Sequence, residues 1–300
     1  PERDEQMPDT KIAAWGVNKL AQQGEQPFFM AIGFYRPHVP QYAPQKWFDL
    51  YPLDTLEMPK MKKKDLQDLP QYGIDLTREQ HVAPTYDWVV KNKEEKKLVQ
   101  SSLACVSFAD AQVGKILDAL DASPHKDNTY VVLYSDHGFH LGEKERYAKR
   151  SLWGDGTRVP MMISGPGIKA GVSNKPTQLL DIYPTLLELT GLKKDSKLEG
   201  NSLLPLLRNP QSEWPHYART SFGPGNYSIV SESYRLIQYN DGSEEFYDRR
   251  KDSHEWTNQI KNPEYAQIIQ KHRQQIPPKR HAILGKNSTG HKAYKVAEDK

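Results

Sequence analysis

One stretch of the sequence places an acidic and an imidazole side chain directly after a predicted buried strand. The apolar residues 129–135 predict the strand, and Asp136 and His137 follow it. In open α/β sheets, ligands bind beyond the carboxyl ends of the strands. An Asp oxygen and a His nitrogen at that position can bind a divalent metal ion. The alternative is a capped strand end, in which Asp136 accepts backbone N–H groups.

Four further side chains could bind an anion or transfer a proton. Arg36 and His38 lie in a proline-rich loop, and His140 and Lys149 follow the Asp-His pair. Residue type alone leaves other roles open: His38 could pack within its loop, and Lys149 could be an ordinary solvated lysine. His140 could face a substrate or pack beneath the metal loop. Arg36 could bind an acidic sugar or form a surface salt bridge.

The elements that would position these side chains alternate between strands and helices. Buried parallel strands are predicted at 27–34, 129–135 and 159–164, because each is a short apolar run bounded by turn residues. The helical pattern of 10–23 has Asp9 before it as a candidate N-cap. Further helices are predicted at 92–120, 181–189 and 263–275, and antiparallel strands at 228–239 and 244–248 around the turn Asp241-Gly242.

This order predicts an α/β fold with a mixed, mostly parallel central sheet flanked by helices and a smaller C-terminal α+β part containing an antiparallel sheet. Residues 1–207 form the main α/β portion in this prediction, and 208–276 form the small sheet-and-helix subdomain. Residues 277–300 form a polar tail.

Composition excludes several classes of protein. The chain has 300 residues, a net charge of +3 and no basic stripe with interleaved aromatic residues, so it is not expected to bind nucleic acid. No apolar run approaches the length of a membrane span. The single cysteine, Cys105, falls on the apolar face of a predicted helix and is expected to be buried.

Several separated motifs resemble those of type I sulfatases of the alkaline-phosphatase-like superfamily. They begin with Asp136-His137-Gly138 followed by His140-Leu141-Gly142-Glu143, and occur in the family's order. The later ones are Tyr147-Ala148-Lys149, Thr157-Arg158-Val159-Pro160, residues 181–187 and residues 245–248. The upstream segment 27–40, with Pro44 and Tyr51-Pro52, looks closest to iduronate-2-sulfatase.

The resemblance implies a role for each matching residue. Asp136 and His137 would be ligands of one calcium ion. His38 would donate a proton to the leaving oxygen or contact the sulfate, and Lys149 would contact the sulfate and screen its charge. Arg36 and His140 are candidate contacts to the substrate.

The family's nucleophile motif does not occur in this sequence. Such sulfatases make a formylglycine from Cys or Ser in a Cys/Ser-x-Pro/Ala-x-Arg motif and use an early Asp-Asp pair as further metal ligands. Cys105 is followed by Val106-Ser107-Phe108, which does not match. The resemblance therefore implies a missing N-terminal segment, or a partner chain, that carries both.

The resemblance implies hydrolysis of a sulfate ester on a carbohydrate, with a 2-sulfated uronic acid unit of a polysaccharide or oligosaccharide as the expected substrate. Such an enzyme acts outside the cytosol, and secreted, periplasmic and lysosomal locations all stay open. Two alternatives remain: a non-catalytic glycan-binding subunit or fragment derived from a sulfatase, and a phosphodiesterase or phosphonate hydrolase of the same superfamily.

Overall fold

The computed structural model describes residues 2–22, 24–78 and 84–278. Two compact units make up the chain. The first contains Pro1–Lys60 and Ala83–Tyr130, and the second contains Met61–Val82 and Val131–Lys300. The two units are divided at residues 60/61, 82/83 and 130/131, not at residue 207. The predicted domain boundary at residue 207 stays a prediction. Most of the predicted polar tail, from residue 279 onward, lies outside the described residues.

The helices are α1 Pro8–Ala21, α2 Gln45–Phe48, α3 Gln71–Arg78, α4 Tyr86–Lys91, α5 Glu95–Asp121, α6 Gly154–Thr157, α7 Ile182–Leu189, α8 Leu204–Arg208 and α9 Ala266–Arg273. The strands are β1 Val131–Tyr134, β2 Met161–Ser164, β3 Ala218–Ser221, β4 Tyr227–Val230, β5 Tyr234–Gln238 and β6 Glu244–Asp248. Short 3-10 turns occupy Asp4–Gln6, Glu143–Glu145, Leu179–Asp181 and Pro263–Tyr265. No helix within these described ranges is long and apolar enough to cross a membrane.

The first unit is built on the packing of α1 against the long helix α5. Its core includes Met7, Ala43, Cys105 and Phe108. Cys105 is fully buried, which confirms the expectation from its place on the apolar face of the helix. Burial raises the pKa of its thiol to about 11, so the sulfur is protonated and unreactive at neutral pH.

Asp9 plays a different part from the N-cap that its position predicts. Helix α1 begins at Pro8 with Met7 as its N-cap residue, so Asp9 lies inside the first turn. Its buried carboxylate accepts the backbone N–H groups of Tyr35 and Arg36, each at 2.9 Å. The prediction of an N-cap was wrong because the carboxylate satisfies two distant backbone donors of the proline-rich loop instead.

The predicted parallel strand at 27–34 is not a strand in the structure. A strand needs a hydrogen-bonded neighbour, and none of the described residues pairs with this segment. Phe29 within it is 85% exposed. An apolar run read from sequence shows that a segment can be buried, but it does not supply the partner strand.

The second unit contains both sheets. β1 and β2 pair antiparallel, with Val131 opposite Ser164 and Tyr134 opposite Met161. Strands are therefore present within 129–135 and 159–164, but the prediction that they are buried and parallel was wrong: they pair antiparallel, none of their residues is fully buried, and the described residues contain no parallel pair. The other sheet is a four-stranded antiparallel meander in the order β3-β4-β5-β6. The α/β class and the antiparallel C-terminal sheet are confirmed.

The meander packs apolar residues on both of its faces. One cluster joins Ile229, Leu236 and Phe246 to the Tyr265 and Ile269 side chains at the C-terminal helix. The other cluster joins Leu152, Trp153, Ile237, Tyr239 and Tyr247. Because Leu152 and Trp153 belong to the turn before α6, the second cluster connects the sheet to a segment close to the predicted metal loop.

Replacing Phe246 tests the first of these clusters. Its ring is fully buried and lies 5.6 Å from the ring of Tyr234 and 5.4 Å from that of Tyr265. We expect Phe246→Ala to lower the free energy of unfolding by about 3–5 kcal/mol, because it leaves a cavity. Denaturant unfolding followed by circular dichroism measures this loss. Val172→Ala, at a side chain 80% exposed, should change it by no more than about 0.5 kcal/mol.

Candidate functional site

Asp136 and His137 leave the end of β1 with their side chains close together. The nearest oxygen of the Asp136 carboxylate lies 3.6 Å from His137 Nε2. The Asp136 side chain is 81% exposed, whereas that of His137 is only one-third exposed. The Ser135 hydroxyl donates to the carbonyl of His137 and holds this backbone in place. An exposed carboxylate beside an anchored imidazole can serve as a pair of metal ligands.

The hydrogen bonding of His137 suits a metal ligand. Its Nδ1 lies 2.8 Å from the carbonyl oxygen of Gly138. Because a carbonyl only accepts, Nδ1 carries the proton and the lone pair of the neutral ring is on Nε2, the nitrogen nearest Asp136. Metal-binding histidines commonly use their second nitrogen in this way. The two side chains fit part of a calcium site, which takes six to eight mostly oxygen ligands.

Gly138 allows the strand end to pack directly on the turn 154–158. Its N–H donates to the carbonyl of Gly156 at 3.0 Å. A Cβ at Gly138 would lie 2.1 Å from the backbone oxygen of Asp155 and 2.9 Å from that of Arg158. Only a residue without a side chain fits between the two segments, so the position of the turn fixes the position of the Asp-His pair.

His140 is buried beneath this loop. Its Nε2 lies 2.7 Å from Ser151 Oγ, and its backbone N–H donates to the carbonyl of Ala148. Burial, together with the positive charges of Arg146 and Lys144, lowers the pKa of His140 to about 3. The imidazole is therefore neutral at physiological pH, and it joins the segment after the strand to the segment that carries Lys149.

Lys149 is partly buried in the loop between His140 and α6, and it takes part in at least one interaction. Its carbonyl oxygen would lie 2.8 Å from a Cβ at Gly156, and a Cβ there would lie 2.2 Å from Ser151 Oγ. The backbone at Lys149 thus packs on the same turn as Gly138. The structure therefore connects Asp136, His137 and Lys149 through one turn of the second unit.

Arg36 and His38 lie in the first unit. Arg36 is buried, its guanidinium lies 3.8 Å from the centre of the Tyr42 ring, and its Nη1 donates to the carbonyl of His38. His38 is partly buried against the Tyr35 ring, and its Nδ1 lies 2.6 Å from the carbonyl of Val39. Arg36 therefore braces the loop that presents His38.

A second group of possible metal ligands was not predicted from sequence. One donor atom each from His140, Glu143 and Asp155 lies within 4.8 Å of the others. Burial and the carboxylates of Glu143 and Glu255 raise the pKa of Asp155 to about 6. His140 experiences the positive charges of Arg146 and Lys144, whereas Asp155 experiences the negative charges of Glu143 and Glu255, so this group lies between charges of both signs. No motif or spacing in the sequence indicates that Asp155 is a metal ligand.

Side chains of the C-terminal sheet and of the loop after it also reach the turn, and sequence patterns gave no indication of them. The Glu255 carboxylate accepts the backbone N–H of Gly154 at 2.8 Å, and Arg235 donates to the carbonyl of Leu152 at 3.0 Å. The indole of Trp153 donates to the fully buried Glu245 carboxylate at 2.7 Å. These contacts join residues about 80 to 100 positions apart in the chain.

Comparison with known proteins identifies the family. A model of the sulfatase family matches residues 2–192, and a model of the N-sulphoglucosamine sulphohydrolase C-terminal region matches residues 142–282. A protein named sulfatase from Formosa agariphila is 42% identical over 271 residues, which cover 90% of this chain and 53% of that protein. The chain belongs to the sulfatase family.

Solved structures share the fold. A phosphonate monoester hydrolase from Silicibacter pomeroyi has a TM-score of 0.78 at 20% identity, covering 91% of this chain and 60% of that chain. A 2-O GAG sulfatase has a TM-score of 0.63 at 22% identity, covering 89% and 61%. The chain spans about half the length of the curated relatives that it matches.

The burial of His140 predicts a pH dependence of stability. Its unfolded pKa is near 6.5 and its folded pKa is near 3, so the unfolded state takes up a proton first as the pH falls. Acid should therefore lower the free energy of unfolding, by up to about 1.4 kcal/mol per pH unit below 6.5 from this group.

Denaturant titrations between pH 7 and pH 4 measure this slope. His140→Gln should flatten it, even though the substitution also lowers stability at pH 7. His254→Gln, at an exposed histidine of the same unit, should keep the slope of the unsubstituted protein. Equal slopes for all three proteins would contradict the assignment of His140 as a buried neutral imidazole.

Proposed function

We propose that this chain is part of an enzyme that hydrolyses sulfate monoesters on a carbohydrate. The exposed Asp136 carboxylate beside His137 Nε2, at the end of β1, is the observation that carries the proposal. Membership of the sulfatase family and the 42% identity to a sulfatase support the same activity. The nucleophile is a formylglycine that lies outside this sequence.

Asp136 and His137 are the metal ligands in this proposal, and the ion is one calcium. Asp136 supplies carboxylate oxygen, and His137 supplies Nε2 while Nδ1–H stays on the Gly138 carbonyl. When bound, such an ion would draw negative charge from a sulfate oxygen and from the nucleophile. Ligands from outside the chain complete the coordination, since two side chains alone bind calcium weakly.

His38 and Lys149 are the proposed catalytic residues of this chain. In the reaction, the sulfur forms a bond to the nucleophile's oxygen and the bond from sulfur to the sugar oxygen breaks. The leaving oxygen gains negative charge, and His38 donates the proton that neutralises it. Lys149 contacts the sulfate group and offsets its charge through the transition state.

His140 and Arg36 were expected to contact the substrate. Burial and the bond to Ser151 favour the alternative for His140, in which it packs beneath the metal loop. Arg36 is also buried, and its contacts with Tyr42 and the His38 carbonyl favour a bracing role. We therefore propose that both residues position their loops.

The proposed substrate is a 2-sulfated uronic acid unit of an anionic polysaccharide or oligosaccharide, as in iduronate-2-sulfatase. The resemblance of segment 27–40 to iduronate-2-sulfatase supports this finer assignment. A 2-O GAG sulfatase shares the fold, which is compatible with such a substrate. A secreted, periplasmic or lysosomal location follows from a polysaccharide substrate.

The phosphonate monoester hydrolase is the second candidate, because it shares the fold with a TM-score of 0.78. Its low identity supports the fold alone, and the 42% identical relative favours the sulfatase. Incubating the complete native protein with a sulfated uronic acid disaccharide and, separately, with a phenyl phosphonate monoester distinguishes the two. Sulfate release in the first reaction supports the proposal. Faster turnover of the phosphonate, or binding of the disaccharide without turnover, would refute it.

Removing the proposed proton donor should affect poor leaving groups most. We expect His38→Ala to lower kcat on a sugar sulfate by about 10²–10⁴-fold, because the departing alkoxide then leaves unprotonated. The loss on p-nitrophenyl sulfate should be at least about tenfold smaller, since nitrophenolate leaves without a proton. Initial rates on both substrates measure the difference. An equal loss on both would show that His38 is not the proton donor.

Removing the proposed sulfate contact should affect all substrates alike. We expect Lys149→Ala to lower kcat/KM by about 10²–10³-fold on both the sugar sulfate and p-nitrophenyl sulfate. Lys126→Ala is the matched control, because it removes one positive charge at an exposed lysine and so changes the net charge of the protein equally. It should keep the original activity. The assignment fails if the two lysine variants have the same rates.

A further inference from the structure

We propose that Arg235 and Glu255 are positioning residues, which hold the turn 151–158 and through it the Asp136-His137 pair and Lys149. This inference rests on the proposed function for its catalytic meaning, and on the contacts alone for its structural part. It assigns the C-terminal sheet a direct part in setting the geometry of the metal loop. Neither residue would touch the substrate.

Arg235 on β5 is buried, and it reaches across to the turn. One guanidinium nitrogen, Nη1, donates to the carbonyl of Leu152 at 3.0 Å and to the Thr157 hydroxyl at 3.2 Å. Ser228 Oγ on the neighbouring strand lies 2.6 Å from the same nitrogen, so the two hydrogens of Nη1 are shared among three acceptors. A rigid planar guanidinium therefore holds both ends of the short helix α6 against the sheet.

Glu255 holds the middle of the same turn. One carboxylate oxygen accepts from Arg235 Nε at 2.6 Å, and the other accepts the backbone N–H of Gly154 at 2.8 Å. Glu255 is 2% exposed, so these partners, together with Arg249 Nε at 4.0 Å, take the place of water around its carboxylate. It has a positive φ of 58°, a conformation that few residues adopt without support from their surroundings.

The turn then contacts the proposed site directly. The carbonyl of Gly156 accepts from Gly138, whose missing Cβ leaves space for the Asp155 backbone. Gly156 itself lies against the Lys149 carbonyl. A shift of the turn would therefore move both the strand end that carries Asp136 and the backbone of Lys149. Both glycines pack so closely on the facing segment that not even a Cβ atom would fit.

A second anchor from the same sheet also holds the turn. The Trp153 indole donates to Glu245, which also accepts from the hydroxyls of Tyr239 and Tyr247. Lys144, from the loop after His140, binds Asp65 at 3.0 Å and the carbonyl of Glu255. The segment carrying Glu255 therefore also holds the loop that begins at Asp136.

Hydrogen exchange in the complete native protein tests the structural part. Arg235→Met removes the hydrogen-bonding guanidinium group and keeps an apolar side chain of similar length. Arg273→Met is the matched control: it breaks an arginine-carboxylate pair with Glu244 of the same sheet, away from the turn. We expect Arg235→Met to speed exchange by about tenfold or more in peptides covering 136–142 and 149–158. The strands 218–248 should keep their protection.

Kinetics test the catalytic part. Per folded molecule, Arg235→Met should lower kcat on a sulfate ester by about 10²-fold and leave KM within about threefold, because a displacement near 1 Å misaligns the reacting groups. The control variant should match the unsubstituted enzyme. A purely structural role would lower only the folded fraction and the unfolding temperature.

The outcomes separate the two proposals. Local loss of protection without any sulfate release in the unsubstituted protein would refute the proposed function and retain the positioning of the turn. Exchange that rises uniformly, or equals that of Arg273→Met, would overturn the positioning role whatever the activity. If Arg235→Met does not fold, Arg235→Lys can replace it, because lysine keeps the buried positive charge without the planar guanidinium group. Its hydrogen exchange and kinetics are then compared with those of Arg273→Met.

Discussion

The second unit depends on a buried charge that has to be compensated. Glu255 is almost completely inaccessible to water, and its carboxylate accepts from Arg235 and the Gly154 N–H, with Arg249 Nε 4.0 Å away. Taking one partner away from such a buried pair costs several kcal/mol, because the other charge is left unpaired. These hydrogen bonds link the sheet to the Glu255 loop and to the turn at α6. The Asp136-His137 pair packs on that turn, so its position depends on the same bonds.

The same contacts help to set the position of the Asp136-His137 pair. The end of a strand brings the two residues together locally, and the Gly138 carbonyl selects the ring nitrogen that faces the carboxylate. The close packing of Gly138 and Gly156 then transmits the position of the turn to that pair. Local backbone geometry thus creates the donor pair, and long-range polar contacts determine where it points.

The sequence predicted those features that depend on neighbouring residues. The helix at 92–120 is present as α5, and the hairpin around Asp241-Gly242 is present as β5 and β6. The predicted strand 228–239 is two strands, β4 and β5, because residues 231–233 turn between them. The failures concern distant partners: segment 27–34 has no pairing strand among the described residues, and Asp9 binds Tyr35 and Arg36 instead of capping α1. The contacts of Arg235 and Glu255 could not be predicted for the same reason, since their partners lie far away in the chain and no periodicity marks the two residues.

The proposed sulfatase activity requires a formylglycine nucleophile that acts on sulfate esters. A peptide map of the complete native protein by mass spectrometry tests it most directly. We expect a peptide, outside the present sequence, in which a Cys or Ser of a Cys/Ser-x-Pro/Ala-x-Arg motif is converted to formylglycine. A complete native protein with no such motif, or with the motif unmodified in preparations that bind the sulfated glycan without releasing sulfate, would contradict it.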